Sequence, residues 1–169
     1  ALGGFFVQEE DGDADADPAT SEGVFAYHSA TAVAVGDLVE VTGTVTEFGT
    51  APSFLTELSS VSLVQVVSSG NALPTPASVT FPVPTLDYLE RFEGMLVTFP
   101  QPLTVIENYE LGRYGSVALS GAGRLPAPTH AALPGAPAVA VAAANDLSRI
   151  VLDDALSGQN PDPVLYPAP

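Results

Sequence analysis

DLVEVTGTVTEF, residues 37–48, decides the fold class. Val39, Val41 and Val45 fall on one side of an extended chain, and Glu40, Thr42, Thr44 and Thr46 fall on the other. A two-residue period built from β-branched side chains marks a strand with one buried face. Gly43 interrupts the apolar side. A glycine inside a strand marks a bulge or a sharp bend, and small barrels need such bends to close.

The same period extends outward from this strand. In GGFFVQ (3–8), Phe5 and Val7 alternate with Phe6 and Gln8; in GVFAYH (23–28), Phe25 and Tyr27 alternate with Val24 and Ala26. SFLTELSSVSLVQVV (53–67) reads as a further strand pair. Pro74, Pro76, Pro82 and Pro84 then mark an extended crossing. One short helix follows: Thr85 is a good N-cap, Leu86, Tyr88, Leu89 and Phe92 keep helical spacing, and Gly94 stops it. MLVTF (95–99), LTVIENY (103–109), GSVALS (115–120) and RIVLDD (149–154) return to strand patterns. In APAVAVAAAND (136–146) alanine favours helix and the Val139/Val141 alternation favours strand, with the alanines tipping the segment towards helix. Many short strands, a single helix and frequent Gly/Pro punctuation predict an all-β barrel. The expected division is barrel strands in 1–73, the helix and additional strands in 74–156, packed on or completing the barrel, and a proline-rich linker in 157–169.

Composition narrows the function classes. With 169 residues, 46% hydrophobic and 14% charged, the chain is long and apolar enough to bury a core. No apolar run reaches the roughly 18 residues of a membrane span, so no membrane partner is expected. Twenty acidic residues oppose four arginines, lysine is absent, and the formal net charge is −16. Such a surface repels polyanions at long range and suits a salty medium, where self-repulsion is screened within about 3 Å at 1 M. Cysteine is absent, so no disulfide holds the fold.

Three blocks in order, GGFFVQ, DGDADADPATSEGVFAYH (11–28) and VGDLVEVTGTVTEFG (35–49), resemble the OB-like domain of secreted bacterial nucleases in which it precedes an endonuclease/exonuclease/phosphatase catalytic domain. YLERFEGMLVTFPQPLTVIENYELGRYGSVALS (88–120) and NDLSRIVLDDALSGQNPDPV (145–164) extend the resemblance over almost the whole chain. It implies an OB-like small barrel with a β-rich C-terminal extension, secreted to the periplasm or outside the cell. It also implies a non-catalytic accessory domain that positions a downstream catalytic nuclease domain or weakly contacts DNA. The alternative is a structural spacer, stabilised by calcium, with no nucleic-acid binding. In the nucleases the barrel's first strand lies upstream of the block that GFFVQ resembles, so the chain reads as an excised piece with one sheet edge open unless MLVTF or another segment fills it.

Two stretches carry candidate chemistry. Counting Asp11 as position 1 of a twelve-residue calcium loop, Asp13, Asp15 and Asp17 stand at 3, 5 and 7 and Glu22 at 12. The departure is Ala16 at position 6, where such loops need glycine. Because strands flank it, the site would be a calcium hairpin; the other reading is a solvated loop on an acidic protein. For DNA, Tyr109, Arg113 and Tyr114 in NYELGRYG, with Arg124 on the next turn, offer stacking rings and guanidinium groups. Four arginines cannot line a long groove. Turn aromatics that close a hairpin are the other reading of that cluster. Arg91, beside Glu90 and Glu93, suits a surface ion pair. His28 and His130 sit in no nucleophile or zinc spacing, and no catalysis is expected within this chain.

Overall fold

The computed structural model describes residues 2–15, 17–50 and 53–166. Within them the chain forms β1 (Phe5–Gln8), β2 (Gly23–Ala26), β3 (Leu38–Thr50), β4 (Ser53–Ser68), β5 (Ala77–Ser78), a 3-10 helix (Tyr88–Phe92), β6 (Val97–Thr98), β7 (Thr104–Glu107), α1 (Leu111–Tyr114), β8 (Val117–Ser120), α2 (Pro128–Ala131), α3 (Ala136–Asp146) and β9 (Arg149–Leu152). The strands make three sheets, ordered β1-β2-β4-β3, β5-β6 and β7-β8-β9. The protein is therefore β-rich with few helices, as the alternation predicts. Among the described residues the sheets are open and no barrel closes. The expected short helix is the 3-10 segment Tyr88–Phe92, the alanine-rich stretch 136–146 is the longest helix among the described residues, and the one-turn α1 and α2 are additional. Pro137 fits its first turn, where no backbone donor is needed.

The chain divides into two compact units. One comprises Leu2–Ala77 and Leu89–Thr98. Its sheet is mixed: β1 pairs antiparallel with β2, β2 runs parallel to β4, and β3 pairs antiparallel with β4. As an inner strand, β2 buries both faces, so Phe25 and Ala26 are both core although they alternate. The Phe6 and Phe25 rings meet at 4.9 Å between centroids. Glu57, opposite Phe25, is buried as well. Residues 53–68 form one continuous strand rather than the expected pair. Ser60, with φ 47°, lies in the bulge where residues 60–62 have no cross-strand partner on β3, and the strand continues on both sides of it.

Gly43 sits at the expected irregularity. The register passes from Thr42↔Leu63 to Thr44↔Ser59, setting three β4 residues against one glycine. A Cβ there would lie 3.0 Å from the Ser59 carbonyl oxygen and 3.2 Å from Leu58 Cβ. Beyond this bulge burial changes sides. Val45 is 67% exposed, while Thr46, across from Glu57, is half-buried. The expectation of one apolar face running from Val39 to Val45 therefore fails, because the extra β4 residues increase the local twist.

Residues 93–96 bind the start of this sheet. Ser21 Oγ donates to the Glu93 carbonyl at 2.5 Å, and the Thr56 N–H donates to Glu93 Oε2 at 3.2 Å. The Leu96 N–H donates to Gln8 Oε1 at 2.8 Å, and the Ala77 N–H donates to the Leu96 carbonyl at 2.9 Å. At the centre two glycines meet backbone to backbone. A Cβ on Gly23 would stand 2.5 Å from the Gly94 carbonyl carbon and 2.7 Å from the Met95 nitrogen.

The other unit comprises Ser78–Tyr88 and the chain from Phe99 onward. Its sheet is antiparallel, with Ala118 of the central β8 flanked by Glu107 and Val151, and Ser120 flanked by Thr104 and Arg149. The core is Val79, Phe81, Val83, Val117, Ala118 and Ala138. Residues 79–84 alternate buried and exposed, so the prolines at 82 and 84 point outward. Gln101 holds this extended segment in the manner of a neighbouring strand. Its Oε1 accepts the Phe81 N–H at 3.0 Å, and its Nε2 donates to the Phe81 carbonyl at 2.7 Å. The Val83 N–H donates to the Leu147 carbonyl at 2.8 Å, and Phe81 stacks on Phe99 at 5.7 Å and 15°.

Candidate functional site

The acidic loop, residues 9–22, joins β1 to β2, and the Glu9 N–H closes it on the Glu22 carbonyl at 3.0 Å. The expected strand flanks are present. Its carboxylates hydrogen-bond within the protein. Asp11 accepts from the Thr75 N–H at 2.8 Å and from Thr75 Oγ1 at 2.5 Å. Asp15 accepts from the Asp17 N–H at 2.6 Å and from Thr20 Oγ1 at 3.2 Å. Asp17 accepts from the Ala19 N–H, and its carbonyl, the position-7 ligand of a calcium loop, accepts from Thr20 Oγ1 at 3.0 Å. Asp11, Asp13, Asp15 and Asp17 are exposed and Glu22 is half-buried. Ala16, the departure from the loop pattern, lies outside the described residues. Among the described residues no three Asp, Glu or His side chains gather as a metal site. The calcium expectation rests on the spacing of the five carboxylates alone. At the loop's exit Arg91 Nη1 donates to the Pro18 carbonyl at 3.2 Å, a partner its acidic neighbours did not suggest.

The Asp11–Thr75 pair has a pH signature. Two hydrogen bonds from Thr75, side chain first and backbone second, favour the charged form and hold the Asp11 carboxyl below its ordinary value. A group depressed in the folded state adds stability above its unfolded pKa of about 3.9, and that contribution is lost as pH falls through the lower folded value. Carboxyl carbon-13 NMR should show Asp11 titrating below the ordinary aspartate value, and Thr75→Val should move it back towards that value. An Asp11 midpoint indifferent to Thr75→Val would show that the pair does not set it.

The second candidate lies between β7 and β8. Tyr109 is 82% exposed, and Arg113 and Tyr114 occupy the one-turn helix α1. The Arg113 guanidinium carbon stands 5.0 Å from the Tyr114 ring centroid, within cation–π range. Arg113 Nε also donates to Gln159 Oε1 at 3.2 Å, and the Asn160 N–H donates to the Arg113 carbonyl at 2.7 Å. Tyr166 fastens the same tail by donating to the carbonyls of Gly115 and Leu152. Burial, and then Asp153 and Asp154, push its phenol above the ordinary value. Tyr109, Arg113 and Tyr114 are therefore gathered on one connection. Arg124 follows β8, beyond Ser120.

A cleft of about 260 Å³ opens on one face of β7-β8-β9. The small side chains of Ser116, just before the central strand, and Ala118, on it, leave the space, and Glu107, Tyr109, Glu110 and Arg149 wall it. Sequence reasoning missed Glu107, Glu110, Ser116 and Arg149 as a group. Pairing of β7 and β9 with the central β8, Glu107 opposite Ala118 and Arg149 opposite Ser120, brings the two ends of this group to one cleft. Of the histidines, His28 Nε2 lies 3.0 Å from Thr31 Oγ1 and His130 lies in α2. The chain matches no protein-family model, no curated protein and no solved structure.

Proposed function

We propose that the chain is a non-catalytic accessory domain of a secreted, salt-adapted nuclease, OB-like in its first unit, that positions a catalytic domain and touches DNA weakly. The observation that carries the DNA contact is the turn bearing exposed Tyr109 beside the Arg113–Tyr114 pair. A ring free to stack and a guanidinium free on one side offer a base and a phosphate one partner each. The four-stranded sheet with its long, bulged β3–β4 hairpin supports the OB-like reading, since such hairpins coil small barrels. The mixed order β1-β2-β4-β3 leaves β1 and β3 as edges, in keeping with the open edge that the resemblance implies.

A second reading, a spacer that binds no nucleic acid, is favoured by the carboxylates of Glu107 and Glu110 beside Tyr109 and by the net charge of −16. A fluorescence-anisotropy titration at low salt with single- and double-stranded DNA separates the two. On the first reading, single-stranded DNA binds and Arg113→Ala weakens it at least about fivefold, the loss of one charge-assisted contact. Absence of binding at millimolar protein removes the first reading. Unchanged affinity in Arg113→Ala removes the local contact. Repeating the titration and a melting curve with calcium, then EGTA, tests the acidic loop as the stabiliser of such a spacer.

A further inference from the structure

We infer that the tail from Gln159 to Tyr166 is a releasable strap on the turn 109–115, so that the turn meets DNA with the tail docked and loses the contact with the tail lifted. The inference rests on the DNA reading of that turn and concerns how the contact is controlled. The turn has little to hold it from within. α1 is a single turn of four residues, far below the length at which a helix persists alone. Its N-cap, Glu110, makes no side-chain cap bond, and the N–H groups of Arg113, Tyr114 and Gly115 reach only the Glu110 and Leu111 carbonyls. The carbonyls at the far end, which a helix cannot satisfy by itself, are taken by the tail. The Asn160 N–H donates to the Arg113 carbonyl at 2.7 Å, and the Tyr166 hydroxyl donates to the carbonyls of Gly115 and Leu152. One hydroxyl thus clips the end of the turn to the end of β9.

The strap also sets the guanidinium. Gln159 Oε1 accepts from Arg113 Nε at 3.2 Å while the group stands over the Tyr114 ring. This bond fixes the plane of an exposed side chain and leaves the two terminal nitrogens, the edge that takes a phosphate in parallel bonds, unused by the tail. A long side chain already held in one geometry loses less freedom on binding, so the docked tail favours the contact. Release is built into the same place. The Asp154 carboxylate lies on the bare α-carbon of Gly115, where a Cβ would overlap its Oδ2. That oxygen is buried and has no hydrogen-bond donor among the described residues, although Oδ1 accepts the Leu156 N–H at 2.9 Å. An unsatisfied buried oxygen penalises the docked state and is relieved when water reaches it. The docked tail therefore carries an opposing cost at its root, which makes it a latch that opens.

The test uses the full chain with Tyr166→Phe, which keeps the ring and removes the clip, and with Val164→Ala, an exposed tail position, as control. In Tyr166→Phe, amide hydrogen exchange followed by NMR should rise at least about fivefold at Tyr114 and Gly115, the loss of one hydrogen bond. The β8 amides, 117–120, should stay within about twofold and so show that the unit is still folded. The Arg113 Nε–H resonance should merge with those of solvent-exposed arginines, although the lost hydroxyl binds Gly115 and Leu152 and not Arg113. Single-stranded DNA at low salt should bind at least about threefold more weakly, and Tyr166→Phe should add less than about twofold to the loss in Arg113→Ala, because both act through one guanidinium. Val164→Ala should change none of these. Unchanged exchange at Tyr114 and Gly115 would overturn the strap. Tighter DNA binding by Tyr166→Phe, or a loss that adds fully to that of Arg113→Ala, would overturn its control of the contact. A wild-type chain that binds no DNA removes the DNA reading and the control with it, and the exchange measurement then still decides whether the tail holds the turn, so the two failures are told apart.

Discussion

Gly23→Ala is expected to destabilise its unit by at least about 4 kcal/mol, the range reserved for substitutions that force backbone apart. The added methyl would meet the Gly94 carbonyl carbon at 2.5 Å, its oxygen at 2.6 Å and the Met95 nitrogen at 2.7 Å. None of these atoms is the end of a flexible side chain. Relief requires shifting β2 against residues 93–96, and that strip carries the bonds from Ser21, Thr56 and Gln8. The loss is therefore cooperative. Gly94 has φ 71°, so the chain turns there in the left-handed region and its own α-carbon stays bare against Gly23. Gly12→Ala is the control, because a Cβ there meets nothing within 4 Å. Urea unfolding followed by circular dichroism should separate the two variants clearly. A Gly23→Ala protein as stable as Gly12→Ala would mean the two backbones do not cross as closely as described.

Phe81→Ala should cost about 3–5 kcal/mol, the range for emptying a buried aromatic site. Phe81 is 5% exposed, stacks on Phe99, and sits between Val79 and Val83 in the alternating run. The site collapses poorly, because the Gln101 amide holds the Phe81 backbone from both sides. Gln101 Nε2 lies 3.3 Å from the Gly121 carbonyl as well, which ties the segment to the end of β8. A cavity left beneath that clamp stays open instead of closing. Phe81→Leu fills more of the space and should cost clearly less. Equal losses from leucine and alanine would show that the ring's packing is not what the unit depends on.

Gly43 was legible because a glycine inside an alternating run has few uses besides a bulge, and the bulge is there. The helix over 136–146 was legible because alanine outweighed two alternating valines. Ser60 was not. A left-handed serine in a bulge inside one strand leaves no composition signal, so one bent strand read as two. Val79, Phe81 and Val83 carried a visible two-residue period, but the intervening prolines obscured it. Proline cannot join a ladder, and here a glutamine side chain supplies the missing hydrogen bonds instead. Sheet closure depends on pairings far apart in sequence, which periodicity does not encode. The same limit applies to the candidate site. Arg124 was grouped with Tyr109 by nearness in sequence, and Arg149 was missed because β9 pairs with β8 from about thirty residues away.

The outer row of β3 has one more consequence. Thirteen residues of backbone, Leu38–Thr50, have β4 on one side only, and exposed Val45 and Phe48 lie beside them. Glu40 and Glu47 are the negative charges placed along that row. Two copies aligned there head to tail would bring these carboxylates near one another, and charge on an edge is a usual guard against fibre growth. Replacing both with neutral residues removes the guard while the ladder-forming groups remain, so loss of these two charges favours self-association along this edge.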